Sequence, residues 1–292
     1  MKIKQLVVML VSSTTMAMSA QAWAAPVDTD LTGLHSTATI GTATYTQSPF
    51  NPAGSGVINS FVRLNTNNAQ EQGYNTTAQN VYDNGSDNIH NHGIQVKDVG
   101  FVSTAGGDVM RFLLDINEPN AANKSKLSLD EIQIFLSRNP NDSAQPSLAQ
   151  GQLLTLGNPL FLVYQMDSAA QDERVILDGD TGGGSGHGDM ILDIPKNLFN
   201  FAFVAGGFAN TTDQNNAWIY LYSRFGSVDA NVTGTINDAN FEEWAAIKGA
   251  AIGEPPCTVN CNPQEVPEPG SLPLVALGLL GAASMLARRR RR

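Results

Sequence analysis

"LSLDEIQIFLS" (Leu127–Ser137) decides how this chain folds. Leu127, Leu129, Glu131, Gln133 and Phe135 lie on one phase of a two-residue period, and Ile132, Ile134 and Leu136 on the other. Period two is the signature of a strand. "NAWIYLYSRFG" (Asn216–Gly226) has the same character. Trp218, Tyr220 and Tyr222 share one face and Ile219 and Leu221 the other, which predicts a strand buried on both sides.

Working outward, strand-like runs recur at turn-sized intervals. They are "STATIGTATYT" (Ser36–Thr46), "VINSFVRLN" (Val57–Asn65), "GIQVKDVGFV" (Gly93–Val102) and "DVMRFLLDIN" (Asp108–Asn117). "PLFLVYQMD" (Pro159–Asp167), "ERVILDGD" (Glu173–Asp180), "DMILDIP" (Asp189–Pro195) and "FNFAFVAGGF" (Phe199–Phe208) continue the series. Such spacing, without intervening amphipathic helices, predicts a mainly β body: an antiparallel β-sandwich, jelly-roll-like. Thr66–His92 is dense in Asn, Gln, Asp and Gly and reads as a long functional or partly disordered loop. One short C-terminal helix is expected in "NDANFEEWAAIKGA". Asn237 or Asp238 would be its N-cap, Glu242 and Glu243 its first-turn acids, Trp244 its anchor and Gly249 its stop.

Charge sets limits on partners. The chain has 17 Lys+Arg and 27 Asp+Glu; the body, Ala25–Ile252, keeps 10 and 24 of them, a net charge near −14. Such a surface repels nucleic acid and anionic headgroups and attracts cations. "LDGDTGGGSGHGDMILD" is the best candidate for cation chemistry. Asp178, Asp180 and Asp189 flank a glycine-rich loop, with Asp193 farther along; "DINEPN" (Asp115–Asn120) and Asp167 could contribute from neighbouring loops, whose placement the sequence does not give. Calcium takes six to eight oxygens, and glycines let carbonyls turn toward it. The spacing is not that of an EF-hand, and the same aspartates also read, more simply, as solvated turn caps on a long hairpin loop. His90 and His92, two apart in "NIHNHG", and His187 read as loop histidines. Ser185 does not complete G-x-S-x-G, because His187 stands where the last glycine belongs. With no zinc-protease, Walker or dinucleotide signature, a non-enzymatic protein is expected.

The two ends address the chain. Lys2 and Lys4, an apolar stretch to Met18, and the small-x-small exit Ala22-Trp23-Ala24 form a secretory signal peptide, 1–24, for the Sec translocon and signal peptidase. Cleavage is expected after Ala24, with Ala22 as second choice. At the other end, "VPEPGSLPLVALGLLGAASMLARRRRR" combines Pro267-Glu268-Pro269, an uncharged run 271–287 and the arginines 288–292. The run is just long enough for a single transmembrane helix, and the arginines would hold its end in the cytoplasm. Two prolines keep the tripeptide extended. Between body and tail, 253–265 is a Pro-rich linker in which Cys257 and Cys261 form a small-loop disulfide or remain two thiols.

The order of the tail, Val266 to Arg292, closely resembles the PEP-CTERM sorting signal of exported Gram-negative proteins, chiefly those of exopolysaccharide makers. The resemblance implies that an exosortase, a membrane-embedded thiol transpeptidase, processes the chain at Pro267, Glu268 and Pro269, so that the anchor is transient. The order of motifs from Phe112 to Trp244 resembles a body type that recurs among PEP-CTERM proteins and implies no reaction. Together these readings predict a body in the periplasm on a temporary inner-membrane anchor, then a cell-surface or extracellular product. The expected role is structural or adhesive in a biofilm or exopolysaccharide matrix. A calcium-dependent carbohydrate-binding module is the alternative, and a secreted hydrolase a weaker one.

Overall fold

The computed structural model describes residues 25–50, 59–65, 70–118, 125–149, 151–168, 170–179, 188–226 and 241–253. In chain order the strands are β1 (Val27–Asp30), β2 (Thr37–Ile40), β3 (Ala43–Phe50), β4 (Ser60–Leu64), β5 (Glu71–Tyr74), β6 (Ile94–Gln95) and β7 (Val102–Thr104). They continue as β8 (Gly107–Ile116), β9 (Lys126–Ser137), β10 (Phe161–Gln165), β11 (Glu173–Asp178), β12 (Gly188–Pro195), β13 (Trp218–Phe225) and β14 (Glu242–Ile247). The helices are α1 (Val96–Val99), α2 (Lys196–Ala205) and α3 (Thr211–Asn215).

The fold is mainly β. The first sheet runs β1-β11-β9-β13-β5, with β10 on β9 and β6 on β13; the second runs β2-β3-β12-β8-β14-β4, with β7 on β8. It is mixed rather than wholly antiparallel, because β1 lies parallel to β11. One apolar cluster joins the sheets: Ile132, Ile134, Ile219 and Leu221 from the first, Phe112, Leu114, Met190, Leu192 and Trp244 from the second. Two hydrogen bonds cross it. Trp244 Nε1 donates to Ser223 Oγ at 3.1 Å, and the hydroxyls of Tyr45 and Tyr164 meet at 2.9 Å.

β9 keeps its expected place at the centre of a sheet, but not a single phase. Along β13 its partner jumps from Glu131 at Arg224 to Leu129 at Phe225, so Asp130 is bulged. A bulge inserts one residue and reverses the alternation beyond it. Leu127 and Leu129 therefore join Ile132, Ile134 and Leu136 in the shared core, while Phe135 faces outward. That outer face of the first sheet is covered. Phe135, Tyr220 and Tyr222 pack with Tyr74, Val81 and Leu154, and β13 is buried on both sides as its two apolar phases predict. Tyrosine hydroxyls fasten the covering loop: Tyr74 donates to Ala144 O, Tyr82 to Pro146 O and Tyr220 to Asn139 O.

Four local expectations are corrected. The C-terminal helix is not formed: Glu242–Ile247 is a strand between β8 and β4. Its six residues are too few to favour a helix alone, and ladders on both edges satisfy their amides instead. Asn237 and Asp238 lie outside the described residues. "FNFAFVAGGF" is helical, because Phe199, Ala202 and Phe203 are buried at i, i+3 and i+4. "GIQVKDVGFV" is broken by α1, whose capping box pairs Gln95 with Asp98 and whose end turns at Gly100, φ 70°. A Cβ at Gly100 would lie 2.6 Å from the Gly249 carbonyl, so glycine is required there twice over. Finally, Thr66–His92 contains β5 and a 3₁₀ turn at Tyr82–Asn84.

Among the described residues no helix is long and apolar enough to cross a membrane. The expected span 271–287, the arginines 288–292 and the linker 254–265 lie outside the described residues.

Candidate functional site

β8 and β12 are neighbours, and Leu114 opposite Met190 fixes their register. That register sets Asp189 beside the Asp115–Ile116 end of β8. Asp189 Oδ2 accepts a hydrogen bond from the Ile116 amide at 2.9 Å. β14 adds Glu242 opposite Ile116 and Glu243 opposite Asp115. The first sheet contributes Asp178 at the end of β11, where the Gly179 amide donates to Ser125 O at 2.8 Å. A Cβ on Gly179 would come within 3.2 Å of Ile116 O, so the two sheets approach closely at this point.

The result is an acidic end to the molecule. Asp115, Glu118, Asp189 and Glu242 are all buried there, and none of Asp115, Glu118, Asp178 and Glu242 lacks a partner. Burial pushes the Asp189 carboxyl well above its ordinary range; the negative charges of Asp115 and Asp178 add to this, against the Ile116 hydrogen bond. Of the three aspartates expected to hold calcium, Asp178 and Asp189 are thus brought within electrostatic reach, and Asp180 lies outside the described residues. Asp193 is elsewhere, in a two-pronged pair with Arg111 at 2.7 Å. Among the described residues no three His, Cys, Asp or Glu side chains are arranged to hold a metal ion. His90 is tied to Asp87 at 2.6 Å and His92 to the Ile89 carbonyl at 3.2 Å, both within one turn. His187, Ser185, Cys257, Cys261, Ala22, Ala24, Pro267, Glu268 and Pro269 lie outside the described residues.

A second acidic group lies on the outer face of the first sheet; of its members sequence reasoning singles out only Asp167, as a candidate contributor beside the glycine-rich loop, and the structure sets it by Glu131 and Asp172. Gln165 opposite Gln133 extends the β10–β9 register, which brings Asp167 toward Glu131. Glu131 accepts from Gln133 Nε2 at 2.6 Å and faces Arg224 at 3.4 Å. Asp167 is 3 % exposed; its Oδ1 accepts from the Glu173 amide at 3.0 Å. Its Oδ2 has no hydrogen-bond partner among the described residues. Burial, with Glu131 and Asp172 nearby, pushes Asp167 up to about 8. Burial likewise lifts Asp130 to about 7, against the Ser128 side chain and the charge of Arg224. Gln133 also anchors the covering loop, donating to Gln152 O and accepting from the Leu154 amide. This polar layer therefore holds a loop down at the cost of crowding carboxylates. The β10–β9 pairing is what sets Asp167 toward Glu131, and no local sequence pattern displays strand register.

A cleft of about 100 Å³ lies at the opposite end of the sandwich, between Phe101, Asp108, Lys196, Ala250 and Gly253. That is far below the roughly 300–1,000 Å³ of a small-molecule site.

No curated protein and no solved structure matches the chain. The family described as the PEP-CTERM protein-sorting motif matches residues 265–292. Its match coincides with the proline-flanked glutamate, the uncharged run and the arginine block. The motif marks an exported, membrane-transiting protein processed by an exosortase. The chain, on this finding, carries a PEP-CTERM sorting motif at residues 265–292, which implies export and processing by an exosortase.

Proposed function

We propose that the chain is a non-catalytic surface or matrix protein, released from its membrane anchor into the cell envelope or an exopolysaccharide matrix, where it acts structurally or adhesively. The sorting motif at 265–292 is the observation that carries this reading. The acidic body and the covered sheet faces are in keeping with it. Export would run through the Sec translocon, with signal-peptidase cleavage after Ala24. The run 271–287 would then hold the body outside the inner membrane until exosortase acts at Pro267-Glu268-Pro269. The test is Glu268→Ala in a host with exosortase. The expected result is an uncleaved chain in the membrane fraction and none in the matrix; normal release would refute the processing site. Polysaccharide is the proposed partner, and binding of the released body to purified exopolysaccharide is the direct measurement.

A calcium-dependent carbohydrate-binding role is a second reading. It is favoured by the electrostatic proximity of Asp178 to Asp189 beside the glycine-rich loop that holds Asp180. Millimolar calcium should then raise the melting temperature of the wild type and not of Asp178→Asn. An unchanged melting temperature leaves the aspartates as turn caps.

A further inference from the structure

We propose that the exposed apolar face of α2 docks on the membrane surface while the chain is anchored, so that the body stands on the bilayer in one orientation with its acidic end outward. This rests on the anchored state above and adds to it a surface and a direction.

The strands define two opposite ends. β12 begins at Gly188 in the acidic end and finishes at Pro195, where α2 starts. Eight residues of strand separate these ends by roughly 25 Å. The chain leaves the described body at the α2 end. Ile252 exchanges hydrogen bonds with Asn215 of α3, and a Cβ on Gly253 would touch Thr211. Seventeen residues, Glu254–Gly270, then precede the apolar run. Fully extended they reach at most about 60 Å, which holds the body at high effective concentration against the bilayer.

The α2 end suits that neighbour. Phe199, Ala202 and Phe203 face the core, whereas Phe201 is 70 % and Val204 83 % exposed, three residues apart on the opposite side. Phe201 and Val204 adjoin on one helix face, and it is adjoining apolar side chains, rather than single ones, that mark a site of interaction. Between Asp193 and Asp213 the sequence has no carboxylate and one cation, Lys196. Lys97, Arg138 and Lys248 stand around the same end, against Asp98, Asp108 and Asp213. The end is close to neutral in a body near −14, so it is the face least repelled by anionic headgroups. A short helix whose apolar side chains point away from the core can sink them into the headgroup region.

The experiment uses the full chain, with Cys257→Ser and Cys261→Ser, in vesicles of phosphatidylethanolamine and phosphatidylglycerol. An environment-sensitive fluorophore is attached at Val204→Cys or, as the control, at Leu34→Cys. Leu34 is 57 % exposed and lies toward the acidic end, since the His35 amide bonds Gln47, which shares a bridge with Met190. The expected result is blue-shifted emission and quenching by brominated lipid at 204 and neither at 34. Adding Phe201→Ser should return the 204 label to a water-like spectrum. Equal water exposure at both positions in a chain that floats with the vesicles overturns docking and leaves the anchor intact. A chain that does not float overturns both. A blue shift at 204 that grows with protein density, with disulfide cross-links between copies of the unlabelled Val204→Cys chain under oxidant, replaces the bilayer with a second copy and also overturns the proposal.

Discussion

At one end of the sandwich, Asp115, Glu118, Asp178, Asp189 and Glu242 are gathered where β8, β11 and β12 meet β14, most of them buried. At the other, α2 shows Phe201 and Val204 to solvent, and Arg138, Lys196 and Lys97 are each bonded to oxygens at hand. The same strands run through both ends. The difference teaches that this fold stores electrostatic strain far from the exit of the chain and keeps the exit end apolar and lightly charged.

The comparison presumes one core binding the two ends into a single cooperative unit, and Trp244 tests it most severely. Its ring is fully buried between the sheets, and its Nε1 bonds Ser223 across them. Trp244→Ala should cost about 3–5 kcal/mol in denaturant unfolding, the sum of lost burial and a cavity. Both ends should still unfold in one transition. Two transitions would mean the ends are separate units.

The next largest effect is pH dependence. Asp167 and Asp130 have folded pKa values of about 8 and about 7, above the ordinary 3.8, and Asp189 is raised too. The folded state thus binds protons that the unfolded state has released. Stability is full below about pH 4 for these groups and is lost as pH rises to about 8. Asp108 and Asp87, held low by Lys196 and His90, act oppositely and lose their small contribution in acid. The protein should therefore melt higher near pH 5 than at pH 8.5, by several degrees, at about 2–4 °C per kcal/mol for a domain of this size. Asp167→Asn, on the outer face of the first sheet, should flatten that slope, whereas Lys196→Met at the α2 end should not. Equal slopes in the two variants would remove the contrast between these two regions.

Asp189 gives a finer division. Asp189→Asn keeps an acceptor for the Ile116 amide and removes a charge opposed by Asp115 and Asp178, so stability at pH 8 should hold or rise. Asp189→Leu leaves the amide unsatisfied and should cost about 1–3 kcal/mol. If both variants lose stability equally, the carboxylate charge itself is favourable at this end.

Much of this architecture was legible because strand signals are local. The runs at β8, β9, β10, β11, β12 and β13 stood out, as did the tail, whose three parts lie in linear order. What was lost had two periodicities at once. In α2, Phe199, Phe201 and Phe203 alternate as a strand would, and only the burial of Ala202 and exposure of Phe201 select the helix. In β14, "EEWAAI" reads as helix from local preference, but β8 and β4 leave a strand-shaped gap between them. The acidic end was half visible: Asp178 and Asp189 flank one loop, whereas Asp115, Glu118 and Glu242 arrive through strand register, which no single sequence displays.

The smallest effect concerns how the exit end is held. Arg138 lies 4.4 Å over the Phe208 ring, and its Nη2 donates to Gly207 O at 2.9 Å and Gly206 O at 3.3 Å. A cation here serves the carbonyls at the C-terminal end of α2 and stacks on an aromatic face, each worth about 0.5–1 kcal/mol at an exposed position. Arg138→Ala should lower stability by about 1 kcal/mol, and Arg138→Lys by less, since the charge persists without the planar stack. The loss should be the same at pH 5 and pH 8.5, because no carboxylate takes part in these contacts. A loss that varies with pH in step with Asp167 would tie the exit end electrostatically to the carboxylates on the outer face of the first sheet, and the exit end could no longer be called quiet.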